Sequence, residues 1–253
     1  LRYFASFGYL GQKGNIDNFN YDRYNVRTNL ESQLARNFKF TMGLSGVYSK
    51  RQTPGYAAGG TDANSYLGEP GWLSIASQTI IMHPYLPERY NDMYTATLKK
   101  NTSLPQSPLA AIYESGYKKT RGLDVSANPS LSYDAPFLKG LQLKVSGAFD
   151  YGASMNKNLN TPFNLMAYTD GQWKDAVDPR GVGNGVSLGE GTSYYQHITG
   201  QAGASYMNTF GKHFVELLAL AEVSDTKSNA HSAYAKLIPF SALPELGYGQ
   251  PAD

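Results

Sequence analysis

Residues Arg121 to Tyr151 alternate between oily and wet side chains over two long runs joined by a tight turn, and this alternation restricts the fold more than any other stretch. One parity carries Leu123, Val125, Ala127, Pro129, Leu131 and Tyr133, then Leu141, Leu143, Val145, Gly147, Phe149 and Tyr151. The other carries Gly122, Asp124, Ser126, Asn128, Ser130 and Ser132, then Gln142, Lys144, Ser146, Ala148 and Asp150. Successive side chains of a strand point to opposite faces, so the pattern predicts a two-stranded ribbon with one greasy face and one wet face. Each run of about eleven residues, at roughly 3.3 Å per residue and a tilt near 45°, covers about 25 Å, the height of the apolar band on a transmembrane barrel. Strands of soluble domains are usually about half as long.

The same alternation recurs along the chain. A first strand sets Leu1, Tyr3, Ala5, Phe7 and Tyr9 against Arg2, Ser6 and Gly8, and a polar turn follows from Gly11 to Asn20. The second places Tyr24, Val26, Thr28, Leu30 and Leu34 outward and Arg23, Asn25, Arg27, Asn29, Glu31 and Gln33 inward. Asn29 to Ala35 also contains fair helix formers, but alternation over the whole stretch favours a strand. After Ala35-Arg36-Asn37, the third strand alternates Phe38, Phe40, Met42, Leu44 and Tyr48 with Lys39, Thr41, Ser45 and Ser49. The ribbon supplies strands four and five, with a turn at Ala135 to Gly140. Strand six, from about Tyr195, carries Ile198, Ala202, Ala204 and Tyr206 outward, and Gly211-Lys212 turns it into strand seven with Val215, Leu217, Ala219, Ala221 and Val223 outward.

Between these strands the connections are strongly unequal. Long stretches rich in Gly, Pro, Asn and Tyr are expected as loops over about 50–119, 152–194 and 225–253, while the intervening turns are brief. Short turns at one rim and large loops at the other mark a membrane barrel, with tight periplasmic turns and long extracellular loops. A soluble sandwich gives no reason for this asymmetry. Inside the first loop, Trp72 to Met82 reads as a short helix ended by His83-Pro84, and Pro105 to Tyr113 as another turn or two.

Aromatic residues fall at both rims, as membrane interfaces require. Phe38, Phe40, Tyr133, Phe137, Tyr206, Phe210 and Phe214 lie near the short turns; Tyr9, Tyr24, Tyr48, Tyr151, Tyr194 and Tyr195 lie near the long loops. The chain contains 20 Tyr and 26 Gly with only 17% charged residues, a composition suited to strands at an interface. Two details fit less well. Pro129 lacks a ladder donor in mid-strand, and the inward Leu218 and Leu220 suggest contact with something packed in the lumen.

Several function classes are excluded or disfavoured. A net charge of +2 describes no nucleic-acid surface. The absence of cysteine removes disulfides, thiol catalysis and cysteine-zinc sites. No run of apolar residues is long enough for a helical membrane span. His83, His197, His213 and His231 show no metal spacing, and Asp170, Asp175 and Asp178 with Asn156, Asn158 and Asn160 lack the closing glutamate of a calcium loop. Gly181-Val182-Gly183-Asn184-Gly185 has no Lys-Ser/Thr partner for phosphate, and there is no Gly-x-Ser-x-Gly elbow. No enzyme, cofactor or metal is therefore expected.

The run Tyr3-Phe4-Ala5-Ser6-Phe7-Gly8-Tyr9, the strand Tyr24-Asn25-Val26-Arg27-Thr28-Asn29-Leu30 and the segment Phe240-Ser241-Ala242-Leu243-Pro244-Glu245-Leu246 resemble the SusC/RagA family of TonB-linked outer-membrane transporters of Bacteroidota. The likeness extends over essentially the whole chain. It implies an all-β, antiparallel transmembrane barrel, of which this chain would be about seven strands of a wall of roughly 22, with the plug domain and remaining strands elsewhere. It also implies active import of large nutrients, glycans or oligopeptides, in the cell outer membrane, with a SusD-like lipoprotein as lid and TonB as the energy source.

The start at Leu1-Arg2-Tyr3-Phe4, without a leader, and the loop-like end at Gly249-Gln250-Pro251-Ala252-Asp253 give the expectation of an internal piece of a longer protein. Seven strands cannot close so wide a barrel, and two bare edges in lipid would leave rows of unsatisfied amides and carbonyls. Transport by the segment alone is not expected.

Binding is expected in the long loops, where aromatic rings can stack on sugar faces or grip a peptide. The candidates are Trp72, Tyr85, Tyr90, Tyr94, Tyr168 and Trp173, helped by Asn64, Asn91 and Asp92. Packing of the loops on one another or on the lid is the competing reading for each ring. Two other classes are kept open. A passive structural or adhesive barrel would lack a plug and TonB-binding segment before Leu1, and a soluble β-sandwich module would express in water with short strands.

Overall fold

The computed structural model describes residues 1–55, 71–98, 105–177, 185–239 and 242–251. Its elements in chain order are β1 (Arg2–Lys13), β2 (Asn20–Ala35), β3 (Phe38–Pro54), α1 (Gly71–Ile81), β4 (Arg89–Tyr90), β5 (Met93–Leu98), β6 (Pro105–Gln106), α2 (Pro108–Tyr113), β7 (Gly116–Asp134), β8 (Leu141–Asn160), β9 (Asn164–Thr169), β10 (Gln172–Val177), β11 (Ser187–Phe210), β12 (His213–Lys236), a 3-10 turn at Leu246–Tyr248, and β13 (Gln250–Pro251). No described helix is long and apolar enough to cross a membrane.

Seven long strands form one antiparallel sheet in the order β1-β2-β3-β7-β8-β11-β12, with β13 touching only the far end of β12. The register preserves the two faces along the ladders, apart from one irregularity between Gln33 and Ala35 at the short-turn end of β2–β3. Phe7 lies opposite Val26, Val26 opposite Gly46, Gly46 opposite Val125, and Val125 opposite Tyr151. The apolar parity thus stays on one side of the whole sheet, where Val26, Leu44, Leu123, Leu143, Val145 and Leu217 stand exposed. A register slip by one residue would exchange the faces, so this consistency is what fixes the pairing.

Polar pairs fill the opposite face. Thr41 and Ser130 hydroxyls meet at 2.7 Å, Ser146 donates to Gln201 at 3.2 Å, Ser126 donates to Asp150, and His197 Nδ1 meets the Thr226 hydroxyl at 2.7 Å. Such cross-strand pairs each contribute roughly 0.2–1 kcal/mol to a sheet. Buried hydrophobic clusters lie at the loop end of the sheet and beyond it. Among the described residues, nothing covers the broad apolar face of the wall.

Two aromatic belts border that face. Tyr9, Tyr24 and Tyr48 share one rung, with ring centroids 4.9 and 6.3 Å apart, and Phe38 and Tyr133 share another at 4.5 Å. From Phe38 to Tyr48 the strand climbs roughly 24 Å at a 45° tilt, matching the apolar band of an outer-membrane wall.

The lower border also drifts across the sheet. The rung through Phe38 meets Tyr133, Leu143 and Ala204, and β11 continues from there to Phe210 before turning. At the upper border Tyr48 on β3 shares its rung with Leu123, Ala153 and Tyr194, while the outward apolar residues of β12 end at Val223, which is paired with Gly200. The lower border therefore slides down the rungs as the sheet advances, the register shear of tilted strands in a barrel. The outward ion pair Asp225–Lys227, at 3.5 Å, consequently stands above the apolar band.

The strands run further than alternation alone foretells. β3 continues to Pro54, β8 to Asn160 and β12 to Lys236, while β7 begins at Gly116 and β11 at Ser187. The expected loops at 50–119, 152–194 and 225–253 are accordingly narrower, because their margins are strand. Beyond the band both faces meet water, so the ladder persists while the oily-wet contrast fades. Asn29–Ala35 is strand, and the helix expected at Trp72–Met82 is present as α1.

Pro129 keeps its place opposite Met42, but the β7–β8 ladder breaks at Asn128 and Pro129 and resumes at Ser130 opposite Ser146. The proline is accommodated by this interruption. Leu218 and Leu220 face the polar side and remain 74% and 61% exposed, with nothing in the described chain covering them.

Candidate substrate-binding surface

Two of the long excursions fold together at the loop end of the wall. β5 from the first lies parallel to β9 from the second, pairing Tyr94 with Leu165, Thr95 with Met166 and Ala96 with Ala167. β4 and β10 flank them, giving a small sheet in the order β10-β9-β5-β4. Its core is Tyr94, Ala96, Ala110, Phe163 and Leu165, with Leu109 and Ala176 against it. Five buried side chains distributed over β5, α2, the β8–β9 link and β9 make the two excursions one packed unit.

Both hairpins of this unit close by residues with positive φ. Asn91 and Asp92 (48° and 61°) join β4 to β5, and Asp170 and Gly171 (52° and 77°) join β9 to β10. Asn, Asp and Gly tolerate this conformation, which two-residue hairpin turns demand. Asn91 and Asp92 thus have a turn-forming role, and the Asp92 carbonyl accepts from Arg89 at 2.8 Å.

The structure brings three of the expected aromatic residues together. Tyr90 and Trp173 stack with centroids 4.4 Å apart and planes at 11°, and Tyr168 meets Trp173 edge-on at 5.2 Å and 61°. Tyr90 and Tyr168 retain 37% and 49% exposure, so the cluster keeps open ring surface. Tyr85 stands apart, 73% exposed and stacked on His83 at 5.2 Å. Tyr94 is only 5% exposed and belongs to the core, stacked on Tyr113 at 6.4 Å. Its ring packs inside the unit and presents little surface to a ligand. Trp72 lies in the first turn of α1 with a side chain outside the described residues, as is Asn64.

Arg89 was not marked by any sequence motif, yet it connects the unit. Its guanidinium covers the Tyr94 ring at 3.9 Å and reaches Glu114 at 3.7 Å. Burial pushes the Glu114 carboxyl above its ordinary value while Arg89 pulls it back. Next to it, Tyr113 donates to Asp17 of the β1–β2 turn, a bond that raises the phenol's pKa. Asn18 of the same turn donates to the Ile112 carbonyl at 3.0 Å. Three connections are therefore joined into one cap over the wall.

A further anchor holds the last connection. Lys157 on β8 pairs with Glu190 on β11 at 2.8 Å and with Glu245 at 3.5 Å, and the hydrogen bond to Glu190 raises its pKa against some desolvation. Beside it, Leu159, Leu188 and Ile238 are buried with Leu246 against them.

Among the described residues, no cluster of three His, Asp or Glu could hold a metal ion. Asp170 is paired with Lys174 at 2.9 Å, Asp175 is on β10, and Asn156, Asn158 and Asn160 are on β8. Asp178 and Gly181 to Asn184 lie outside the described residues.

A single-layer antiparallel sheet with sheared register, one apolar face between aromatic belts and excursions gathered at one rim defines the wall segment of a β-barrel of the membrane type. Solved structures share this fold. The chain matches the RagAB peptide importer in its "closed-closed" state with a TM-score of 0.68 and 19% identity, covering 99% of this chain and 25% of that one. It matches the same importer in its "open-open" state with a TM-score of 0.68 at 18% identity, and the RagAB peptide transporter with 0.67 at 18%, each again over 99% of this chain and 25% of the other. The chain thus spans a quarter of the length of the chains it matches. No family model matches it, and no curated protein matches its sequence.

Proposed function

We propose that this chain is wall and loop structure of an outer-membrane, TonB-dependent importer of large nutrients, completed by further strands and a plug. The observation that carries the reading is the fold match over 99% of the chain to structures of a peptide importer. Oligopeptide is placed ahead of glycan as cargo for that reason. Substrate meets the cap formed by the excursions, where the open rings of Tyr90 and Tyr168, braced by Trp173, offer stacking surface to either class.

A SusD-like lipoprotein seated over the same rim is the proposed lid. In support, the RagAB importer is described in both "closed-closed" and "open-open" states. The role is transport, without catalysis, and the polar inner face supplies the aqueous path. Uptake of a fluorescent oligopeptide by cells carrying the complete protein tests this. The reading expects uptake that stops when a protonophore collapses the inner-membrane gradient; uptake indifferent to the protonophore would mean a passive pore instead.

A further inference from the structure

The outward face changes character just above the tyrosine belt. On β3 the next outward residue after Tyr48 is Lys50; on β7 the outward residues beyond Leu123 are Arg121 and Lys119; on β1 Lys13 lies beyond Tyr9 and Gly11. Lys50 and Arg121 are directly opposed across the β3–β7 ladder, and Lys119 faces Gln52 one outward step higher. All four cations are exposed, and among the described residues none forms an ion pair with a carboxylate. Asp22, on the same face, accepts from Tyr9 at 2.8 Å. Together they line a groove of about 780 Å³.

Like charges directly opposed on neighbouring strands weaken a sheet. Lys157, further along the same face, shows the ordinary remedy, since Glu190 and Glu245 neutralise it. Asp22 lies opposite Lys50 on the β2–β3 ladder and is already engaged by Tyr9, so one carboxylate faces four cations, and among the described residues the Lys50–Arg121 pair has no ion-pair partner. Height limits what complements it. At a 45° tilt each rung also climbs roughly 3 Å per strand from β1 toward β7, so above Tyr48 the cations stand at roughly 3 Å (Lys13), 5 Å (Lys50), 8 Å (Arg121) and 13 Å (Lys119). The headgroup layer, roughly 5–8 Å per leaflet, lies inside that range. From β1 to β7 the cations span three strand spacings, roughly 14 Å, wider than one phosphate needs.

We infer that this face binds the headgroup of an outer-leaflet lipid carrying two phosphates. Lys50, Lys119 and Arg121 hold one phosphate and Lys13 approaches the other, while acyl chains lie down the wall over Val26 and Leu44 past the rings of Tyr24 and Tyr48. The inference rests on the membrane-spanning reading and adds a lipid of defined chemistry to it. The tyrosine belt beneath the charges favours a lipid over free phosphate, which has no use for it.

The test uses the complete protein extracted from its own membrane, the triple variant Lys50→Gln/Lys119→Gln/Arg121→Gln, and a control, Lys139→Gln/Lys212→Gln, at the opposite rim. Retained lipid is read by native mass spectrometry, and affinity is measured in nanodiscs doped with a diphosphorylated glycolipid or its dephosphorylated form. Wild type and control retain the diphosphorylated lipid, and the triple variant loses affinity on the order of a hundredfold for three cations. Lys50→Arg/Lys119→Arg keeps the lipid, and Lys50→Glu alone loses it, so the inference remains refutable if the triple variant misfolds. Equal retention by wild type and charge-removed variants overturns it, as does displacement by inorganic phosphate at concentrations where the lipid itself competes. If wild type fails to partition with membranes at all, the membrane-spanning reading falls as well.

Discussion

Trp173 lies face to face with Tyr90 at 4.4 Å, although the two residues belong to opposite edge strands of the small sheet and to different excursions. The sheet is therefore curled enough for its edges to meet through side chains. An aromatic pair of this kind adds about 0.5–1.5 kcal/mol beyond its buried area. Trp173→Ala should loosen the cap without disturbing the wall. Hydrogen exchange is expected to accelerate in residues 89–98 and 164–177 and to stay unchanged in 141–151; parallel acceleration in both would contradict a separate cap.

Gly116 supports the junction between cap and wall. It has a φ of 91°, and a Cβ there would sit 2.2 Å from the Leu159 carbonyl oxygen. The position combines a backbone conformation that other residues avoid with a backbone approach that cannot yield cheaply. Gly116→Ala is expected to lower stability by about 2 kcal/mol or more, measured by urea unfolding in detergent micelles. Gly171→Ala, at φ 77° with open space around it, should cost less.

Lys157 predicts a pH dependence for the last connection. Its pKa is raised in the folded protein, chiefly by the hydrogen bond to Glu190. A raised lysine pKa means that the stabilisation is fully present below the unfolded value and is lost as pH climbs through the folded one. Proteolysis within 237–249 should thus be slow at neutral pH and quicken above the ordinary lysine range. Lys157→Met should be fast-cleaved at both, and high salt should have a smaller effect than pH because the pair is only partly exposed.

Val145 lies on the outward face roughly midway between Tyr151 and the lower turn, and is 61% exposed. Val145→Arg should cost about 2–4 kcal/mol of folding stability in lipid, the penalty for a cation at the midplane of a barrel wall. Ser146→Arg, one residue away and facing the polar side, should be far milder. Folding yield into phosphatidylcholine vesicles compares the two.

What was legible beforehand follows from where water is. Within the apolar band each outward residue must be oily and each inward one wet, so the parity of Leu123 to Tyr133, Phe38 to Tyr48 and Val215 to Val223 could be read residue by residue. The belts and the unequal connections were readable for the same reason. Above the band the constraint lapses: Asn156, Lys157 and Asn158 alternate faces in β8 with no contrast in polarity, and the strand looked like loop. The parallel pairing of Tyr94 with Leu165 joins segments far apart in sequence and has no local mark. Of the expected binding residues, the exposed rings of Tyr90 and Tyr168 come together with the half-buried Trp173, while Tyr94 lies in the core because Arg89, Tyr113 and Leu165 enclose it, a grouping visible only in three dimensions.

The account turns on which side of this sheet meets hydrocarbon. Nitroxide labels at Leu143 and Lys144 in the complete protein, reconstituted in lipid vesicles, measure it through collision with oxygen and with a water-soluble nickel chelate. The account predicts an oxygen-accessible, nickel-protected label at Leu143 and a nickel-accessible label at Lys144. Equal accessibility at the two sites, whether both oily or both aqueous, would contradict it.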